Sequence, residues 1–155
     1  WLVDHMPPDS GRKSILHGDY RIDNVILDHD EPHDILAVLD WEISALGDPL
    51  MDLGNSLAYW MQEDDPVDLR ALSMQPSMAP GMLTRAEILQ RYEEKTGIDT
   101  SDFGFYRVFG YWRVPVIFQQ IYYRYFNGQT SDPRFAGFGQ AVQSLGEHCQ
   151  RLIDS

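Results

Sequence analysis

"HGDYRIDN", residues 17–24, and "VLDWE", residues 38–42, decide how this chain reads. The first gathers His17, Asp19, Arg21 and Asn24 into one short stretch; the second closes an apolar run on Asp40. Between them "NVILD" (24–28) and "ILAVLDW" (35–41) are rich in Val, Ile and Leu and predict two strands, with "HDEPHD" (29–34) as the turn. If that turn is centred on Pro32, antiparallel pairing sets Val25 opposite Leu39, Asp28 opposite Leu36 and Asn24 opposite Asp40. Opposed residues have Cβ atoms ~4.5–5.5 Å apart, so an amide carbonyl and a carboxylate are expected to meet at one end of the hairpin. Two hard oxygens so placed suit Mg²⁺, which takes one or two protein oxygens and keeps its waters and substrate phosphates. Asp19, on the loop feeding the same end, is a third oxygen group free to face a substrate, and Arg21 adds a positive charge. A base, two metal ligands and a cation are the parts of a phosphoryl-transfer site, where positioning and charge neutralisation carry most of the catalysis.

Taken singly, each residue has a blander reading. Asn24 and Asp40 are ordinary at turns and strand ends, where their side chains bond nearby backbone, and His17 is ordinary as a structural histidine. The joint pattern separates the two readings, and it continues downstream. In "GDPLMDLGNSLAYWM" Asp48 stands at an N-cap and Pro49 at the first helical position, with Leu50, Leu53, Leu57 and Trp60 or Met61 at helical spacing.

The rest of the chain predicts helices. Residues 1–16, broken by Pro7, Pro8 and Gly11, read as a tail or the end of a preceding helix. Residues 62–83 read as an irregular excursion, acidic and then proline-rich, of a length that is uncommon unless functional or mobile. Thr84 and Glu87 form a capping box for "TRAEILQRYEEKTG", closed by Gly97. An aromatic-rich helical stretch runs from about Asp102 to Phe126, with Pro115 expected to kink or split it, and Ser131–Asp132–Pro133 starts a last helix with a stripe of Phe135, Phe138, Val142, Leu145 and Leu152. One short hairpin and four or five helices make an α+β, mostly helical unit with too few strands for a sheet-based fold.

The bulk properties set bounds. A chain of 155 residues suffices for one domain with a core, and 43% hydrophobic with 23% charged residues is ordinary for a globular protein. A net charge of −12 argues against nucleic acid and against an anionic membrane surface, both of which ask for Lys and Arg. The single cysteine, Cys149, cannot make an internal disulfide, so a reducing, cytoplasmic setting is expected, with the thiol as a small buried apolar residue on a helix. No stretch reads as a signal peptide or membrane span.

The joined string, H-G-D-x-x-x-x-N in "HGDYRIDN", the apolar-apolar-D-W of "VLDWE" and the G-D-P-x-x-D-L of "GDPLMDLG", resembles the C-terminal lobe of the aminoglycoside phosphotransferase-like, protein-kinase-like phosphotransferases. Over "HGDYRIDNVI…AVLDWEISALGDPLMDL" it is most similar to the kinase-like domains attached to acyl-CoA dehydrogenases, directly so over about residues 15–60. The resemblance implies a kinase-like lobe whose hairpin carries the catalytic and metal residues. It implies Asp19 as the base for a small-molecule hydroxyl, Asn24 and Asp40 as Mg²⁺ ligands, and ATP or GTP as phosphoryl donor. Arg21 falls where protein kinases often carry a phosphate-contacting Lys and aminoglycoside kinases commonly a His. His17 is expected to brace the loop, Asp52 to receive the loop's backbone N–H groups with Asp48 as structural support, and Glu42 either to face substrate or a second metal or to lie on the surface.

Such enzymes also need an N-terminal lobe with a phosphate-covering loop and a Lys–Glu pair. The chain opens at Trp1, no glycine-rich loop precedes residue 17 and no Walker sequence occurs, so the chain is expected to be one lobe of a longer enzyme and to turn over poorly alone. The acceptor is open. Glu63, Asp64, Asp65 and Asp68 could hold amines or simply be solvated, and the aromatics of 106–126 could line a pocket for a hydroxylated acyl group or fill the core. Two other readings remain: a non-catalytic kinase-like binding or regulatory module, and a metal-dependent hydrolase using His17, Asp19 and Asp40, which lacks the further His ligands such sites recruit.

Overall fold

The computed structural model describes residues 1–154. Its helices begin where the capping chemistry places them. Asp48 opens α1 (Pro49–Ala58): its Oδ1 accepts the Leu50 N–H at 2.9 Å, and Pro49 occupies the first position, where a missing N–H is no loss. The short α2 spans Val67–Arg70. Thr84 and Glu87 close the expected capping box at the head of α3 (Arg85–Thr96), and Gly97 ends it at φ 69°, a left-handed turn that glycine takes without steric cost. The long α4 (Gly104–Phe126) is followed, after a 3₁₀ turn at Pro133–Gly137 that Asp132 caps, by α5 (Phe138–Ile153).

The strands come before all of these. β1 (Ser14–Leu16) pairs antiparallel with β4 (Ala45–Gly47), and β2 (Val25–Leu27) with β3 (Ile35–Val38), giving two separate two-stranded sheets. The architecture is α+β and mostly helical, with α4 packed between α1 and α5. At the α1–α4 crossing the backbones touch. A Cβ on Gly110 would lie 2.1 Å from the Gly54 carbonyl oxygen, and one on Gly54 2.4 Å from that of Tyr106, so both positions need glycine.

One core cluster joins Ala58, Met61, Leu69, Tyr111, Val114, Phe118, Ala141, Leu145 and Cys149; a second joins Leu50, Leu57, Phe103 and Tyr106. Cys149 is buried as expected, and burial pushes its thiol up to about 11, so it behaves as a small apolar residue. No described helix is long and apolar enough to cross a membrane.

Four expectations need correction. Residues 14–16 are not part of a tail but a strand whose partner lies 30 residues on, a pairing too short to carry a local signal. Of the kink or split expected at Pro115, the split does not occur: α4 continues through it, with Pro115 itself buried between the core residues Val114 and Phe118. The excursion at 62–83 is anchored, since α2 buries Leu69 completely, and Gln75 and Ser77 are buried beyond it.

The fourth correction is the hairpin register. Val25 pairs with Val38 and Ile26 with Ala37, and the Leu39 N–H bonds the Asn24 carbonyl at 2.8 Å, so Leu39 and not Asp40 stands across from Asn24. The cause is Asp28. Its Oδ1 accepts the N–H groups of Asp30 and Glu31 at 2.8 and 3.0 Å, which centres the turn before Pro32. A bulge between Ile26 and Leu27 then returns part of the offset.

Candidate active site

Side chains from α1, α4 and the segment after α2 hold the backbone of residues 17–24. From α1, Asp52 accepts the His17 N–H on Oδ2 at 2.7 Å and the Gly18 N–H on Oδ1 at 2.8 Å, so both carboxylate oxygens are used. One turn later on the same helix face, the Ser56 hydroxyl donates to the Tyr20 carbonyl at 2.8 Å. Gln75 Oε1 accepts the Ile22 N–H at 3.1 Å, and Arg113 Nη1 donates to the Gly18 carbonyl at 3.0 Å from α4. Gly18 sits at φ 83°, and a Cβ there would press on Ile43 at 3.1 Å, so the loop's turn depends on that glycine.

His17 is buried and joins the loop to the end of β3. The Asp19 backbone N–H can only donate, so His17 Nδ1, 3.2 Å away, presents its lone pair. The ring proton is then on Nε2, which donates to the Leu39 carbonyl at 2.6 Å. The Trp41 ring leans on His17 at a centroid distance of 4.7 Å, and its indole N–H bonds the Val38 carbonyl at 2.8 Å. These contacts tie "HGD" to "LDW", so two segments that the sequence separates are one structural unit.

Asp19 is the focus of the charged groups. Asn24 Nδ2 donates both to the Asp19 carbonyl at 2.8 Å and to Asp19 Oδ2 at 3.2 Å. Arg21 Nη2 lies 3.4 Å from the same Oδ2 and 3.1 Å from Asp23 Oδ2, and its guanidinium covers the Tyr59 ring at 4.9 Å. Partial burial pushes the Asp19 carboxyl above its ordinary value; Arg21 and the Asn24 amide pull it back, while the negative charges of Asp23 and Asp40 add to the rise. Burial also raises the Tyr59 hydroxyl, with Asp19 contributing.

Asp40 is exposed and is the one described non-glycine residue at positive φ, 66°. A left-handed aspartate costs about 1 kcal/mol, and such strain is found at functional positions. It takes Asp40 out of the β2–β3 ladder just past Leu39, and its charge is felt at Asp19. Asp19, Asn24 and Asp40 are thus brought to one end of the hairpin by a backbone turn rather than by the facing pair the sequence suggested. Because Asn24 turns its NH₂ to Asp19, its carbonyl oxygen is left for another partner. Among the described residues no group of three or more His, Cys, Asp or Glu could hold a metal unaided. One amide oxygen and one carboxylate are the kind of oxygen donors that suit an ion which takes few protein ligands and completes its shell with waters and phosphates, as Mg²⁺ does.

Asp48 serves as cap and brace, with Ser10 Oγ at 2.7 Å and the Tyr106 hydroxyl at 3.2 Å on its second oxygen. Glu42 is exposed on the turn between β3 and β4 and pairs with none of the described residues. The acidic stretch 63–68 is not one feature. Asp65 is buried and forms a two-pronged pair with Arg85, whose Nη1 also donates to the Tyr111 hydroxyl at 2.7 Å, while Glu63, Asp64 and Asp68 are exposed. Of the aromatics between 106 and 126, Tyr106, Tyr111 and Phe118 are buried, and Trp112, Tyr123 and Phe126 are exposed.

A cavity of about 340 Å³ opens beside Asp19, within the size range of small-molecule sites. Gly18, Asp19, Arg21, Asn55, Tyr59 and Arg113 line its polar side; Met74, Ile117, Ile121 and Phe138 are among the apolar residues opposite. Sequence reading missed Asn55, Ser56, Tyr59, Gln75 and Arg113. Ser56, four residues after Asp52, was findable by helical spacing. Gln75 and Arg113 reach the loop only through tertiary folding and carry no local signal.

Comparison with known proteins follows the same lines. The profile of the phosphotransferase enzyme family (APH) matches residues 1–89. The chain is 38% identical over 149 residues to acyl-CoA dehydrogenase family member 10 of Mus musculus, covering 95% of this chain and 14% of that protein. It is 33% identical over 151 residues to acyl-CoA dehydrogenase family member 11 of Pongo abelii and 31% over 150 residues to that of Homo sapiens, in each case 95% of this chain and 19% of the relative. The chain thus spans less than a fifth of the length of these relatives.

Proposed function

We propose that this chain, which belongs to the phosphotransferase enzyme family, is the acceptor-binding lobe of a kinase that moves the γ-phosphoryl group of ATP or GTP onto a hydroxyl of a small molecule. The nucleotide-gripping lobe, in this reading, is contributed by sequence outside these 155 residues. The greater length of the relatives supports that.

The observation that carries the reading is Asp19: a carboxylate with a raised proton affinity, held by Asn24 and Arg21, at the wall of a cavity and on a loop strapped to α1 and α4. In the transfer, the acceptor oxygen forms a bond to phosphorus as the bond to the departing nucleoside diphosphate breaks, and the hydroxyl proton passes to an Asp19 carboxylate oxygen. A base needs a proton affinity matched to its task, and the rise imposed by burial moves Asp19 in the right direction. Arg21, close to Asp19 and oriented over Tyr59, sets a positive charge where negative charge moves between oxygens. The Asn24 carbonyl and the Asp40 carboxylate would hold Mg²⁺, which when bound supplies charge that offsets the triphosphate. Asp52, Ser56, Gln75, Arg113 and His17 fix the loop so that Asp19 need not reorganise during the reaction. The apolar wall of Met74, Ile117, Ile121 and Phe138 suits an acceptor with an apolar body.

The test is Mg²⁺-dependent ADP formation by the full-length protein across a panel of hydroxylated acceptors. Acceptor-stimulated turnover that Asp19→Asn abolishes is the expected result. Equal turnover in the variant defeats the assignment of the base, and nucleotide binding without turnover under any acceptor favours a non-catalytic module.

A further inference from the structure

Tyr59, which lines the cavity beside Asp19, carries an oxygen that the fold does not use. The residue caps the C-terminus of α1, packs against the first core cluster and lies under the Arg21 guanidinium at 4.9 Å. A phenylalanine would make the same contacts, since the packing and the cation–π attraction both belong to the ring. The hydroxyl pairs with none of the described residues. It is also not among the unpaired polar atoms that the fold seals from solvent, so it stays open to a molecule from outside. Burial raises its proton affinity first and the Asp19 charge next, with Arg21 and Arg113 opposing. Asp19, Arg21 and Arg113 all line this cavity, so the hydroxyl stands among the groups of its polar wall. A phenol so placed keeps its proton at neutral pH and acts as a donor.

We propose that Tyr59 is a binding residue for the phosphoryl acceptor, its hydroxyl donating a hydrogen bond to a second oxygen on that molecule, beyond the hydroxyl presented to Asp19. This rests on the reading of the Asp19 cavity as the acceptor site. Asn24 and Arg21 both approach Asp19 on Oδ2, so Oδ1 is the carboxylate oxygen left for the reacting hydroxyl. The core and Arg21 hold the Tyr59 ring before any ligand arrives, so little ordering is needed to make the contact. The class of acceptor that follows has an apolar body for Met74, Ile117, Ile121 and Phe138 and two oxygens, one to be phosphorylated and one to accept from Tyr59. The phenol is neutral, so the contact selects for the second oxygen and not for the charge of the molecule.

The experiment reads binding without turnover. Full-length protein, free of nucleotide and labelled with ¹³Cζ-tyrosine, is titrated by NMR with hexane-1,2-diol, hexane-1,3-diol, hexane-1,4-diol and hexan-1-ol, and Tyr59→Phe identifies the Tyr59 resonance. The best diol is expected to shift that resonance and to bind on the order of fivefold more tightly than the mono-ol, the worth of one hydrogen bond. Since the diols are the more polar molecules, apolar contact alone would give the opposite order. Tyr59→Phe keeps the ring and is expected to erase the diol's advantage without lowering the melting temperature. A wild-type protein that binds no probe, or in which no diol outranks the mono-ol, overturns the proposal. So does a Tyr59→Phe protein that keeps the preference, which would leave the hydroxyl as a water site, or one that fails to fold, which would show the hydroxyl held from within. Failure of the phosphotransfer reading shows separately, as unchanged ADP formation in Asp19→Asn.

Discussion

The strand-bearing half, residues 14–47, and the helical half, residues 48–153, are held by different forces. Every fully buried apolar side chain among the described residues lies at Leu50 or beyond. In the strands, Ile15, Leu36 and Leu46 are 70%, 63% and 77% exposed, so little of their hydrophobic surface is removed from water. Yet this thin half holds Asp19, Asn24 and Asp40. Its loop owes its shape to polar bonds reaching out from the thick half: Asp52 and Ser56 from α1, Gln75 from the loop after α2, Arg113 from α4. Packing sets stability in one half, and hydrogen bonds set geometry in the other. Substitutions should therefore divide activity from stability according to which half they touch.

The largest effect tests the strand half alone. Asp19→Asn is expected to lower phosphoryl transfer by about 10²–10⁴-fold, the usual contribution of a general base, measured as ADP formation. It is not expected to lower the melting temperature. Burial raises the Asp19 pKa in the folded state, so stability from its proton is full below the ordinary value of 3.8 and is lost as pH rises through the raised one. Above that window the charged carboxylate weighs against folding, and the amide relieves it. Transfer itself should rise with pH through the same raised value. A variant that is both inactive and unstable at neutral pH would break the division.

The mirror test is Leu145→Ala. Leu145 is fully buried between α4 and α5, and its truncation should cost about 2–5 kcal/mol, read by denaturant unfolding. Transfer per folded molecule should hold. Asp52→Asn lies on the seam. An amide has one carbonyl, so one of the two N–H groups, of His17 or Gly18, loses its acceptor. Losing a charge-assisted bond is worth about 1.5–3 kcal/mol, and here it should appear chiefly as slower transfer, with a smaller loss in unfolding free energy.

Legibility followed the same division. The helical half was readable because its signals are local: Asp48–Pro49, Thr84 with Glu87, and Gly97 all work within one turn of chain. The sequence marked "HGDYRIDN" and "VLDWE" as two stretches to be joined, and His17 does join them, but the geometry of that junction was not readable. The register slipped by one because Asp28 gathers its own turn and a bulge follows, choices that depend on side-chain competition at four or five positions. The positive φ of Asp40, which turns it out of the ladder, has no sequence signature that separates it from any aspartate at a strand end. Asn55, Gln75 and Arg113 became visible only when α1, α4 and the segment after α2 closed around the loop.

The smallest expected effect is the sharpest probe of the thin half. Leu46→Ser and Leu36→Ser replace side chains that are mostly in water, so in the 155-residue chain each should change unfolding free energy by no more than about 0.5 kcal/mol. Serine also lowers strand propensity, which makes a small loss rather than a gain the expected sign. The same two substitutions in the full-length protein give the comparison its edge. If those faces remain in water there, the two measurements agree. If the nucleotide-gripping lobe packs on them, each leucine gains buried area and its loss should cost on the order of 1–3 kcal/mol more. A large effect in the short chain would mean that the strands are stabilised by packing after all, and the contrast between the halves would fail.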